Sequence, residues 1–202
     1  AIVLIAPTGS GKETVLRELA SRILGNHPSG RLFEVLPEPD KVFIGIEGIR
    51  KIKIAIKLAS NEQRVILIPN ANTMTPEAQN SLLKILEEPP KNVTFLLSSP
   101  GKEQLLETVV SRTQVWQLRL PTIEQLEEYF SDADPTLRKR ALAISDRRVG
   151  LMAALLSESD TEHPLLTAIA RSKELLQESK FERLCQVELI SKDPILSKEL
   201  LS

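Results

Sequence analysis

Asn80-Ser81-Leu82-Leu83-Lys84-Ile85-Leu86-Glu87-Glu88-Pro89-Pro90 is the stretch from which the fold of this 202-residue chain is read. Ala78, Leu82, Leu83, Ile85 and Leu86 gather on one side at helical spacing while Gln79, Lys84, Glu87 and Glu88 stay off it, which predicts an amphipathic helix. Both ends are written into the residues. Thr75 offers a hydroxyl to free amides, Pro76 suits the first helical position, and Pro89-Pro90 cannot continue the helix past Glu88. Upstream lies Val65-Ile66-Leu67-Ile68 and downstream Val93-Thr94-Phe95-Leu96-Leu97, short apolar runs rich in β-branched or aromatic residues. The unit reads strand, helix, strand.

At the start of the chain, Ala1-Ile2-Val3-Leu4-Ile5-Ala6 is a continuous apolar run, as expected of a strand buried on both faces of a parallel sheet. Pro7-Thr8-Gly9-Ser10-Gly11-Lys12-Glu13-Thr14 follows as a glycine-containing loop, and then a helix whose apolar face is Val15, Leu16, Leu19, Ala20 and Ile23. Strand, loop, helix is the context that a phosphate-binding loop requires. Its glycines let backbone amides approach phosphate oxygens, the helix N-terminus adds positive potential, and the lysine reaches the outer phosphates. Gly9, Gly11, Lys12 and Thr14 are therefore the candidate cofactor-binding residues. Two departures weaken the motif. Ala6 replaces the first glycine, and Glu13 replaces the hydroxyl that should follow the lysine, with Thr14 one position late. A carboxylate aimed at phosphates repels them, whereas one turned to solvent is an ordinary first-turn acid.

Farther along, His27-Pro28 through Pro39 reads as a loop with a short strand, Leu32 to Leu36. Residues 51–57 alternate like a strand, yet Ile49, Ile52, Ile56 and Ala59 also make a helical stripe, so periodicity alone leaves both open. A helix from about Lys102 to Val110 leads to Ser111-Arg112-Thr113 and a strand, Gln114 to Leu118. After Pro121 no strand pattern remains. Thr122-Ile123-Glu124-Gln125 is a capping box for a helix carrying Leu126 and Phe130, a second helix follows Pro135, and a third runs from Val149 through Leu156. Arg138, Lys139, Arg140, Arg147 and Arg148 make a basic cluster that reads as a solvated face or as a phosphate contact. From His163 to Ser202 the pattern is helix after helix, with Cys185 in an apolar stripe as packing.

The wording of residues 80–90 resembles the central motif of the clamp-loader subunits of bacterial DNA polymerase III, which are AAA+ proteins, and Ser111-Arg112-Thr113 resembles their S-R-C motif. Residues 45–50 resemble the family's G-I-x-x-I-R helix, which decides for helix there. The resemblance implies a P-loop AAA+ parallel sheet with flanking helices over 1–120, a helical lid over 121–158, and from 159 to 202 the start of a helical oligomerisation domain. It also implies a trimmed chain. By the same resemblance Arg112 is an arginine finger reaching a neighbour's ATP site. Working ATPases of the superfamily end the strand at 65–68 with an Asp-Glu pair, where this chain has Pro69-Asn70, and Ser98-Ser99 stand where a sensor residue usually faces the γ-phosphate. Motor subunits carry an arginine where Gly150 stands and a zinc-binding insertion for which this chain has no cysteines, so His27 is a loop residue and no metal site is expected.

Composition agrees with that class. A net charge of −1 excludes a surface that traps nucleic acid as a whole, and a single cysteine excludes a disulfide framework or a four-cysteine zinc site. No apolar run of membrane-spanning length exists, so no membrane partner and a cytoplasmic location are expected, and Asn92-Val93-Thr94 is discounted as a glycosylation site. The expectation is a non-hydrolysing clamp-loader member: no ATPase by itself, part of a complex with DNA-directed DNA polymerase activity, and partner of the gamma/tau and delta subunits, with the sliding clamp and primed DNA reached through the complex. ATP or ADP is not required, though binding by the degenerate loop stays open. The alternatives are an active gamma/tau-like motor and, more remotely, a small-molecule P-loop kinase.

Overall fold

The computed structural model describes residues 1–25, 30–57 and 62–157. The helical reading of 163–202, Cys185, His27 and the stripe position Ala59 lie outside the described residues. Contacts divide the chain into two units. The first holds Ala1–Thr122 together with Arg147–Gly150, and the second holds Ile123–Asp146 with the residues from Leu151 onward.

The first unit is built on five parallel strands, β1 (Ile2–Ile5), β2 (Leu32–Glu34), β3 (Arg64–Ile68), β4 (Val93–Ser99) and β5 (Gln114–Gln117), in the order β2-β3-β4-β1-β5. Register pairs Val3 with Leu97 and with Val115, and Ile66 with Phe95. Side chains of one strand alternate between two cores, as the period of two demands. Val3, Ile5, Ile66, Ile68, Phe95 and Leu97 point to one face; Leu4, Val65, Leu67 and Leu96 point to the other. The first face is covered by α2 (Ile46–Lys57), α3 (Pro76–Glu87) and α4 (Glu107–Val110), the second by α1 (Lys12–Leu24) through Leu16, Ala20 and Leu24. Each central strand is thus buried on both sides, which explains its unbroken apolar sequence.

The motif helix forms as its ends predict. The Thr75 hydroxyl accepts from the Ala78 amide at 3.2 Å, and Pro76 occupies the first turn. The residues left undecided by periodicity are helical, and Ile49, Ile52 and Ala55 face the core. Five readings need correction. Gln79 is buried rather than off the apolar face, donating to the Met74 carbonyl at 3.2 Å and accepting from the Leu106 amide at 2.8 Å. Val15 is exposed, because the face of α1 that meets the sheet is centred on Leu16, Ala20 and Leu24. The helix expected from Lys102 to Val110 is a 3₁₀ turn at Lys102–Gln104 and a short α4, broken where Leu105 and Leu106 turn extended to bury Leu105 and cap α4. The strand at 32–36 ends at Glu34, and that at 114–118 at Gln117.

The second unit contains α5 (Ile123–Tyr129), α6 (Pro135–Ser145) and α7 from its third residue, the whole of α7 being Val149–Ser157. Asp134 caps α6 by accepting from the amides of Thr136 at 2.9 Å and Leu137 at 3.0 Å, and Pro135 sits in the first turn. Leu126 is buried, and the rings of Tyr129 and Phe130 meet edge to face. No helix among the described residues is long and apolar enough to cross a membrane.

Candidate functional site

The loop after β1 takes the conformation that its glycines permit. Gly9 and Gly11 have φ of 79° and 84°, a region costly for any residue with a Cβ, and Ser10 closes a turn onto the Pro7 carbonyl at 3.2 Å. Gly11 caps α1, so the first amides of that helix face the loop. Lys12 is 3% exposed, and burial pulls its amine below the ordinary lysine value, a pull that the adjacent Glu13 carboxylate opposes. Among the described residues the buried Ser10 hydroxyl has no hydrogen-bond partner. Thr14, the fourth predicted cofactor residue, is exposed on the outer side of α1.

The two departures in the sequence meet in space. Asn70 Nδ2 donates to Glu13 Oε1 at 2.9 Å, across 57 residues of chain. The Glu13 carboxylate, partly exposed, is held by the amide that follows β3, with Arg17 alongside at 3.8 Å. A magnesium site of the superfamily needs a hydroxyl after the lysine and a carboxylate after this strand, and Pro69 and Asn70 supply none. The donor set does not fit that ion. Among the described residues, no group of three or more His, Cys, Asp or Glu side chains is arranged to hold a metal.

The remaining positions are structural in their contacts. Ser98 donates to the Pro69 carbonyl and Ser99 to the Gly101 carbonyl at 2.7 Å, so both hydroxyls are engaged with backbone. Gly150, in the first unit, lies so close to the loop that a Cβ would stand 2.9 Å from the Gly9 carbonyl oxygen and 3.4 Å from the Gly11 amide nitrogen. No side chain, least of all an arginine, fits there without moving backbone. Gly150→Ala should therefore destabilise the protein by about 1 kcal/mol, because overpacking against a carbonyl outweighs the gain in helix propensity. Chemical denaturation reads the sign, and stabilisation, as an ordinary helical glycine would give, rejects the contact.

Arg112 follows α4, its side chain 33% exposed. Its Nε donates to Glu87 Oε1 at 2.7 Å and its Nη1 to the Thr108 carbonyl at 3.0 Å, while Nη2 stands 2.5 Å from the same Glu87 oxygen. Of the basic cluster, Arg138, Lys139 and Arg140 belong to the second unit and Arg147 and Arg148 to the first. Arg138 donates to the carbonyls of Phe130 at 3.3 Å and Ser131 at 3.0 Å, a role in tying the loop before α6. A cavity of about 470 Å³ that the sequence did not announce lies in the first unit between the segment after β2 and the start of α2. Phe33, Val35, Leu36, Phe43 and Ile46 are among its walls, and its lysines, Lys41 and Lys51, are tied to Glu38.

The family model described as DNA polymerase III, delta subunit, matches residues 24–122. A DNA polymerase III subunit delta' from Yersinia pestis is 36% identical over 141 residues, 67% of this chain and 39% of that protein. The subunit delta' of Haemophilus influenzae is 33% identical over 149 residues, 64% of this chain and 46% of that protein. The chain spans less than half the length of these two relatives. Among solved structures, a DNA polymerase III gamma subunit-related protein from Thermotoga maritima superposes with a TM-score of 0.65 at 20% identity, covering 99% of this chain and 66% of that one. The fold is that of the P-loop AAA+ proteins.

Proposed function

Because the chain belongs to the DNA polymerase III delta-prime family, we propose that it serves as a non-hydrolysing subunit of the clamp loader. It takes its place beside gamma/tau and delta subunits, lends Arg112 to the ATP site of an adjacent gamma/tau subunit, and so helps the assembly place the sliding clamp on primed DNA. Work of this kind puts it in the cytoplasm, within a complex that has DNA-directed DNA polymerase activity.

One observation carries the non-hydrolysing half of the reading, the hydrogen bond from Asn70 to Glu13. A side chain that should orient water or metal is an amide, and it is engaged with the residue that should hold the same metal. Neither ATP nor ADP is required by this arrangement, and no hydrolytic step runs through Gly9, Gly11, Lys12 or Thr14. The finger half is supported by a guanidinium about one-third exposed just after α4.

The motor reading has an observation of its own, the buried Lys12 near an unpartnered Ser10 hydroxyl, a pair that could meet a phosphate. Magnesium-dependent ATPase of the purified chain separates the two. The expected result is turnover no greater than that of Lys12→Ala, together with co-elution with gamma/tau and delta. Robust turnover that Lys12→Ala abolishes would establish a motor instead.

A further inference from the structure

We propose that Glu87 is a positioning residue for Arg112, holding the guanidinium by its side so that the opposite edge can receive a phosphoryl group; this rests on the finger reading given above. A guanidinium has five N–H groups in a fixed plane, which form a side fork at Nε and Nη2 and an end fork at Nη1 and Nη2. Glu87 Oε1 occupies the side fork, at 2.7 Å from Nε and 2.5 Å from Nη2. The Thr108 carbonyl takes one Nη1 hydrogen at 3.0 Å, and the remaining Nη1 contact, to the Ser111 hydroxyl, is long at 3.4 Å. Among the described residues the second Nη2 hydrogen has no acceptor. The second Nη2 hydrogen, with the Nη1 hydrogen that holds Ser111 only at long range, is thus the part of the group open to a newcomer, and a phosphate that displaces the Ser111 contact takes these two hydrogens in bidentate fashion.

Glu87 is otherwise hard to account for. It ends α3, where the carbonyl ends of the helix make a carboxylate unfavourable. Among the described residues its hydrogen bonds run to Arg112 alone, across 25 residues of chain. Both anchors are firm, since Leu86 beside Glu87 and Val109 of α4 are buried in the same core cluster. A long, partly exposed arginine tied at one edge to a packed helix end keeps fewer rotamers to lose when its other edge is engaged.

The test is a reconstituted clamp loader carrying wild-type chain, Glu87→Ala, Glu87→Gln, Arg112→Ala or the Glu87→Ala/Arg112→Ala pair. Turnover is read at the neighbouring gamma/tau site in single-turnover mode, with nucleotide affinity of that site measured separately. Glu87→Ala should lower turnover about fivefold without changing affinity, Glu87→Gln should recover part of the loss, and Glu87→Ala should add nothing to Arg112→Ala. Alanine suits a helix, so the fold is retained, and thermal denaturation checks it. If Arg112→Ala slows turnover while Glu87→Ala matches wild type, positioning is rejected and the finger survives. If Arg112→Ala itself has no effect, the finger reading falls and positioning falls with it. Faster turnover in Glu87→Ala, or a loss that persists in the Arg112→Ala background, overturns the proposal.

Discussion

On the proposed finger reading, Arg112→Ala slows ATP turnover at the neighbouring subunit's site by roughly a factor of 10³ and leaves the chain folded. A guanidinium brought in trans neutralises charge that builds on the transferred phosphoryl group, and alanine supplies nothing in its place. The fold is indifferent because the pair with Glu87 is a half-exposed surface interaction, worth no more than about 1 kcal/mol. On the same reading, bulk ATPase of the reconstituted assembly falls less, because sites that do not depend on this chain are untouched. The measurement must therefore isolate the neighbouring site by disabling the lysines of the rest. Arg112→Lys, which keeps the charge but loses the planar fork, should recover little. Turnover equal to wild type at the isolated site would remove Arg112 from the mechanism.

The features that could be read from the sequence are those fixed within a few residues. Thr75, Pro76 and the double proline mark the motif helix locally, and the structure uses them so. Unbroken apolar runs identified β1, β3 and β4 because each is covered on both faces. Strand order was beyond such reasoning, since β1 lies between β4 and β5, both far along the chain. So was the junction of Glu13 with Asn70. Each was visible as a departure from a motif, but no spacing announces that two departures are hydrogen-bonded to one another. Gly150 was legible as a missing arginine; that the loop backbone fills the room for any side chain was not. Gln79 was a signal overlooked. It stands three, four and seven residues before Leu82, Leu83 and Leu86, squarely on the buried face, and only its polarity argued otherwise.

Gln79→Met makes that oversight measurable. The substitution keeps length and volume nearly constant, so little cavity forms, but it removes both the donor to the Met74 carbonyl and the acceptor for the Leu106 amide. Each backbone group left unpaired inside the protein costs about 1–3 kcal/mol, so with two such groups the loss of stability should be about 2–6 kcal/mol. The consequence reaches the site. Leu106 caps α4, and Arg112 lies two residues beyond the last residue of that helix, so freeing the Leu106 amide loosens the platform from which the guanidinium is presented. Denaturant unfolding should show the full loss, and hydrogen exchange should show faster opening across residues 105–112 than elsewhere in the first unit. A shift under 1 kcal/mol would mean that water or a relaxed backbone satisfies both groups, and that Gln79 is not what fixes the approach to Arg112.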